Sequence, residues 1–252
     1  MQQVFEFPIN PKFSFANFVV CDGNRTAFQF ARRLVDGNGV ENLLYIYGPP
    51  GSGKTHLLMA LGGAFASFGR DRGPLLPASV PCVSFKDIDE LYCGEYPAEA
   101  ASKLAERFLD APALLLDDIH LIPDNVNVRV ELWQLFNDFY QAGKKIVVTG
   151  LYPPKELPHL DAHLNSRLLW GLVANIDVSD DTSRRMIMKK LAEDRQVSLP
   201  DDVVEYLLRH VRRDTPSLIL ALEATSRFAL AVKRKITVRL AKEALGFQSE
   251  IR

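Results

Sequence analysis

The chain has 252 residues and a formal charge of −1, from 30 Lys and Arg against 31 Asp and Glu. That length suits one large or two modest domains with a sizeable core, and the charge balance excludes a nucleic acid or membrane partner held by bulk electrostatics. Cys21, Cys82 and Cys93 show neither CxxC pairing nor metal-ligand spacing, so reduced structural thiols and a cytoplasmic setting are expected, with no secretory signal and no apolar run long enough to cross a bilayer.

Residues 1–9 read as a segment of their own ahead of the folded core. Their alternation through Gln2-Gln3-Val4-Phe5-Glu6-Phe7 suits a short edge strand or strap, or a free peptide presenting Phe5 and Phe7 to a pocket. An aromatic lead-in, Asn10 to Val20, reaches Asn24; helical spacing runs from Thr26 to Leu34, and Asp36-Gly-Asn-Gly39 makes a turn.

Leu43 to Tyr47 is an apolar run that reads as a buried parallel strand. It feeds Gly48-Pro49-Pro50-Gly51-Ser52-Gly53-Lys54-Thr55, a complete G-x-x-x-x-G-K-T, and the apolar-periodic start of a helix. Glycines let the backbone curl so that successive N–H groups point at phosphate oxygens, and the helix N-terminus adds partial positive charge. Lys54 is placed to reach the β/γ-phosphates and the Thr55 hydroxyl to ligate Mg²⁺. With every fixed position filled, this is a nucleotide-phosphate site.

The helix after Lys54 is expected to run to about Phe68, followed by a Gly, Pro and Arg-rich loop (69–79), a strand at Val80–Phe85, and helical segments from Asp87 to Tyr92 and Pro97 to Leu109. Ala113-Leu-Leu-Leu116-Asp117-Asp118 is an apolar strand ending in two carboxylates, the Walker B arrangement. Asp117 would hold Mg²⁺ through water and Asp118 would polarise the attacking water. Val126 to Ala142 reads as an amphipathic helix with Leu132, Trp133, Leu135, Phe136 and Phe139 assigned to the core. Lys145–Thr149 is the next strand, and Leu164 to Gly171 leads into another, Leu172–Val178.

From Asp180 the strand signal gives way to helical periodicity at about 183–194, 201–211, 215–232 and 237–246. The expected fold is therefore α/β, a P-loop core with a parallel five-stranded sheet flanked by helices, then a small all-α lid. The divisions are 1–9, 10–179 and 180–252. Ligand is expected at the carboxyl ends of the strands.

At this point the residues resemble a family. NPKFSFANFVV is similar to the lead-in of the AAA+ core of the bacterial DnaA family, GPPGSGKTHLL and LLLDDIHLI to its Walker A and B, and YPPKELPHLDAHLNSRLLWGLVANI to its box VII region. Residues 10–178 carry the likeness well and the helical lid weakly. The resemblance implies that Phe18, Val19 and Asn24 cradle adenine, that His56 belongs to the nucleotide site, and that Arg167 is an arginine finger. Such a finger would contact the γ-phosphate on a neighbouring subunit, where it contributes on the order of 10³–10⁵ in rate.

Two departures bear on activity. Where the family carries a sensor Asp after the strand that follows Walker B, this chain reads Thr149-Gly150-Leu151. Thr149 is left to keep a polar contact to the water or γ-phosphate, as a third catalytic candidate beside Asp118 and Arg167. The lid's sensor Arg aligns with Pro216, with Arg212 or Arg213 as the available substitutes. A binder of ATP or ADP with Mg²⁺ and slow hydrolysis is expected.

Two further features separate this chain from DnaA itself within the resemblance. No DNA-reading helix-turn-helix follows before Arg252, and the segment that carries DnaA's single-strand-binding helix is acidic: Asp87, Asp89, Glu90, Glu95, Glu99, Glu106 and Asp110 against Lys103 and Arg107. Strong direct DNA binding is not expected there. The resemblance then leans to the shorter relative Hda. It implies a replisome-associated regulator that triggers ATP hydrolysis by DnaA and binds the sliding clamp through Gln2, Phe5 and Phe7, although Gln3 stands where Leu is usual. Homo-oligomers are a further assembly such a chain would make. The alternatives are a helicase-loader ATPase of the DnaC/IstB kind and a DnaA paralogue that only assembles with DnaA.

Overall fold

The computed structural model describes residues 13–37, 40–70, 80–86, 108, 111–158, 160 and 162–246. The N-terminal peptide with Gln2, Phe5 and Phe7, and nearly all of the acidic stretch 87–110, lie outside the described residues.

Five parallel strands form one sheet in the order β2-β3-β4-β1-β5: β1 Leu43–Tyr47, β2 Cys82–Ser84, β3 Ala113–Asp117, β4 Lys145–Gly150 and β5 Leu172–Asn175. The residues of β3 and of β1 up to Ile46 are almost wholly buried, which is why these strands read as continuous apolar runs rather than alternating ones. Helices α1 (Arg25–Asp36), α2 (Lys54–Arg70), α3 (Val126–Gln141) and α4 (Ala162–Leu168) pack with the sheet. Parallel register puts the carboxyl ends of β1, β3 and β4 at one edge: Tyr47 lies opposite Gly150, and Leu116 opposite Val148.

Two strands are shorter than their apolar runs. Among the described residues β2 lies at the sheet edge and pairs with β3 alone, over Cys82 to Ser84. β5 pairs with β1 to Asn175, and one further bond, Ile176 N–H to Tyr47 O at 2.8 Å, closes the ladder. Ile176 and Val178 stay buried outside the strand.

Chain contacts divide the molecule into two compact units. The first contains the sheet and its helices. Its core joins Leu43 and Tyr45 of β1, Leu114 and Leu116 of β3, Ile146 and Val148 of β4, and Leu132, Leu135, Phe136 and Phe139 of α3. Trp133, expected among these, is instead 38 % exposed. One residue on from Leu132, it is turned about 100° around the helix axis and leaves the core face.

The second unit takes in Val19–Gly23, Pro50–Ser52 and the chain from Asp177 onward. Helices α5 (Asp181–Asp194), α6 (Asp201–His210), α7 (Thr215–Ala231) and α8 (Val238–Gly246) enclose a separate core of Met188, Val203, Val204, Leu207, Leu218 and Leu240. Helix starts are capped in the expected way: Asp180 accepts from Ser183 N–H, and Asp214 from Ser217 N–H with Pro216 in the first turn. In this unit a Cβ on Gly51 (φ +73°) would fall 2.4 Å from Pro216 Cδ, so only glycine fits there.

Candidate functional site

At the end of β1 the chain turns through Gly48, whose φ is +151° and whose added Cβ would meet Ile176 O at 2.1 Å. It enters α2 after Gly53, whose Leu57 N–H bond at 3.0 Å starts the helix. Gly53 (φ +103°) lies against Phe18, which an added Cβ would approach to 3.2 Å. The phosphate loop thus has backbone close-packed on both flanks, and side chains there would push the N–H groups out of line.

Lys54 is 7 % exposed, and its Nζ donates to Gly48 O at 2.8 Å and Pro49 O at 2.9 Å. Burial lowers its pKa, while the charges of Asp118 and Asp117 pull the other way. The ammonium is held at the mouth of the loop by neutral carbonyls, with no direct salt bridge to either acid among the described residues. A phosphate oxygen is a stronger acceptor than those carbonyls.

Thr55 Oγ1 donates to Asp117 Oδ2 at 2.8 Å. Asp117 is buried, and its other oxygen, Oδ1, accepts a short bond from Thr149 Oγ1. Thr149 in turn accepts the Asp118 N–H at 3.0 Å and is fully buried. Its hydroxyl therefore joins the ends of β3 and β4, rather than standing free for the water or γ-phosphate that the sequence reading assigned to it. Burial pushes the Asp117 carboxyl up, and the Thr149 hydrogen bond opposes that shift.

Asp118 has φ 55° and ψ 44°, a left-handed conformation that non-glycine residues adopt at a cost. Its side chain stands partly exposed, and its charge acts on Lys54. His120 Nδ1 lies 4.0 Å from Asp118 Oδ1 and has no hydrogen-bond partner among the described residues. Burial lowers the His120 pKa, favouring neutral imidazole. The sequence reading passed over His120, although it sits inside LLLDDIHLI; a titratable residue three positions after a Walker carboxylate was the available signal.

Mg²⁺ takes oxygen ligands and keeps several waters and phosphate oxygens. A hydroxyl and a carboxylate in contact, Thr55 and Asp117, are the protein donors such an ion requires. Among the described residues no group of three His, Cys, Asp or Glu side chains is placed to hold a metal. The residues fit an ion held mainly by nucleotide and water, not a protein cage.

Of the adenine-side candidates, Phe18 is buried, stacks on Phe28 at 5.7 Å and meets the His56 ring edge-on at 5.1 Å. His56 Nε2 lies 3.0 Å from both Ser14 O and Asn17 Oδ1, which fastens the lead-in to the first turn of α2. Val19 precedes the short 3-10 turn Asp22–Asn24, and Asn24, its last residue, is buried.

Arg167 stands in the last turn of α4, a helix that the Leu164–Gly171 pattern did not announce. Its Cζ lies 5.0 Å from the Trp133 ring and 5.3 Å from the Trp170 ring. Among the described residues no carboxylate pairs with it. Leu151 follows β4 directly, Arg212 is exposed and paired with Asp214 at 3.2 Å, and Pro216 occupies the start of α7.

The sequence profile of the bacterial DnaA ATPase domain matches residues 9–175, and that of the Hda lid domain matches 181–245. The chain belongs to the bacterial DnaA ATPase family. It is 33 % identical over 239 residues to the chromosomal replication initiator protein DnaA of Thermus thermophilus, a match covering 94 % of this chain and 53 % of that protein. It thus spans about half the length of that relative. Domain III of the Thermotoga maritima replication initiation protein DnaA superposes with a TM-score of 0.77 at 28 % identity, covering 95 % of this chain and 98 % of that one. AMPPCP-bound DnaA from Aquifex aeolicus gives 0.71 at 25 % identity, over 86 % and 66 % of the two chains. No helix among the described residues is long and apolar enough to cross a membrane.

Proposed function

We propose that this chain is a nucleotide-binding regulator of chromosomal replication initiation, of the Hda kind, that stimulates ATP hydrolysis by DnaA through Arg167. The observation that carries the reading is an Arg in the box VII position with no acidic partner of its own among the described residues. The match of residues 181–245 to the Hda lid supports the same branch of the family. A guanidinium keeps its charge and offers a planar fork of donors, suited to charge developing on a transferring γ-phosphoryl group.

Its own site binds ATP or ADP through the loop from Gly48 to Thr55, including Pro49, Pro50, Gly51, Ser52 and Gly53. Lys54 neutralises phosphate charge and the helix start supplies N–H donors. Thr55 and Asp117 would hold Mg²⁺, which would supply positive charge against the phosphates. Asp118 orients water. Leu151 brings no carboxylate to the strand end after Thr149, so unassisted turnover is slow. Gln2, Phe5 and Phe7 dock the chain on the sliding clamp, bringing Arg167 to DnaA at the replisome.

The complete set of Lys54, Thr55, Asp117 and Asp118 favours one second reading, a loader-type ATPase of the DnaC/IstB kind that turns over its own nucleotide. Steady-state hydrolysis by this chain alone, by DnaA alone and by both with clamp-loaded DNA separates the two. Turnover that appears only in the full mixture supports the regulator; equal turnover by the isolated chain supports the loader.

A further inference from the structure

Four aromatic residues and one cation form a ladder that runs from the core outward past α3 and the end of α4. Tyr140 of α3 packs against Trp170 with centroids 5.3 Å apart, and Phe136, buried in the core, stacks on Tyr140 at 6.1 Å. The outer end of this ladder is Trp170, 55 % exposed, and across Arg167 stands Trp133, 38 % exposed. The arginine is thus tied by way of its rings to the core of the sheet unit, although no hydrogen bond holds its guanidinium among the described residues.

Further exposed apolar side chains lie on the same elements. Val126, Val130 and Trp133 fall at i, i+4 and i+7 on α3, a single stripe, and all three are exposed; Leu169 beside Trp170 is 43 % exposed. Exposed aromatic and aliphatic side chains around a cation with no acidic partner among the described residues form a surface with a definite complement: an apolar protein face that brings an anion to its centre.

We infer that Trp133 and Trp170 form a clamp that presents Arg167, and that the surface they share with Val130 and Leu169 is covered by the nucleotide-bearing face of a DnaA-family subunit. The inference rests on the proposed action of Arg167 in trans and adds the residues that position it. Cation–π contact uses the flat faces of the guanidinium and leaves its in-plane N–H donors for phosphate oxygens. A long side chain otherwise loses rotamer freedom on docking; here the rings limit that freedom beforehand. Trp133 and Trp170 are positioning residues, acting through Arg167.

Trp133 and Trp170 are the chain's two tryptophans, so intrinsic fluorescence reads the clamp directly. Arg167→Ala in the free full-length chain removes a cation from both indoles, and its emission should differ from the parent's in position or intensity. Unchanged emission overturns the clamp. In the mixture with DnaA and clamp-loaded DNA, Trp133→Ala with Trp170→Ala should lower the maximal stimulated rate about 10- to 100-fold, the cost of misplacing a reacting group by about an ångström. Trp133→Phe with Trp170→Phe keeps aromatic faces over the guanidinium and should restore most of that loss. Circular dichroism and the protein's own ADP affinity, unchanged in the Phe pair, show that the fold is retained.

Adding Arg167→Ala to the Trp→Ala pair should cost less than Arg167→Ala costs in the parent, because the clamp acts only through that side chain. Full additivity would mean that the indoles merely bind the partner, and overturns the positioning role. If the parent stimulates DnaA and the Trp→Ala pair does so equally well, the clamp fails while the proposed function stands. If the parent itself does not stimulate, the proposed function fails and takes the positioning role with it.

Discussion

Thr149 is the residue that most repays a single substitution. It donates to Asp117, accepts from the Asp118 N–H and has no exposed surface. Thr149→Val keeps the volume and leaves both partners short of a bond, at about 1–3 kcal/mol for each buried group so stranded. Asp117 has its pKa raised by burial, so the folded state favours the protonated acid. The stability tied to that proton is present below the unfolded pKa and is lost as pH rises through the folded one. The Thr149 bond opposes the shift, so the Thr149→Val deficit should be larger at neutral pH than in acid. Urea unfolding of both proteins at several pH values reads this; a deficit that shrinks as pH rises contradicts it.

Lys54 is the other decisive residue. Its two carbonyl bonds at 2.8 and 2.9 Å show an ammonium held at the loop mouth. Lys54→Ala removes a charge-assisted contact to phosphate of about 1.5–3 kcal/mol, which corresponds to a roughly 10- to 100-fold weaker ADP and ATP affinity by calorimetry. Unaltered affinity would remove the phosphate-loop reading. These roles were only partly legible in the sequence. Lys54 and Thr55 sit in a motif whose spacing states their chemistry, whereas the bond from Thr149 to Asp117 joins residues 32 positions apart and depends on β4 lying beside β3.

At the scale of elements, strands buried on both faces declared themselves as apolar runs. Helix starts carry capping side chains, as at Asn125, whose side chain accepts from Asn127 and Val128 N–H. What could not be read was strand order, because β4 inserts between β3 and β1 without a local signal. Helix α4 was also missed: its seven residues are too few for periodicity to show. Trp133 went astray because an aromatic residue next to Leu132 was counted with the core. The cap of α7 offers a test. Hydrogen bonds from Ser217, its side chain first and its backbone N–H second, hold the Asp214 carboxyl below the usual aspartate range. The cap's contribution is present above the unfolded pKa and lost as pH falls through the folded one. Asp214→Ala should cost about 1 kcal/mol at pH 7, and the difference in thermal melts should shrink as pH falls and the carboxyl takes up its proton. A constant difference would show that the charge plays no part.

For the whole molecule, the sheet unit and the helical unit each enclose a core of their own. Family membership sets the broad role, and the departures at Leu151 and Pro216 set the expectation for turnover. The isolated chain should hydrolyse ATP well below about 1 s⁻¹, the low end of ordinary enzyme rates; faster unassisted turnover would show that the site needs neither sensor. Whether Arg167 acts on another subunit's nucleotide is read by DnaA hydrolysis in a reconstituted mixture with clamp-loaded DNA and Arg167→Ala. The rate should fall toward that of DnaA alone, with fold retained by circular dichroism and poor recovery in Arg167→Lys, whose point charge lacks the fork of donors. Stimulation by the alanine variant equal to that of the parent would contradict that action.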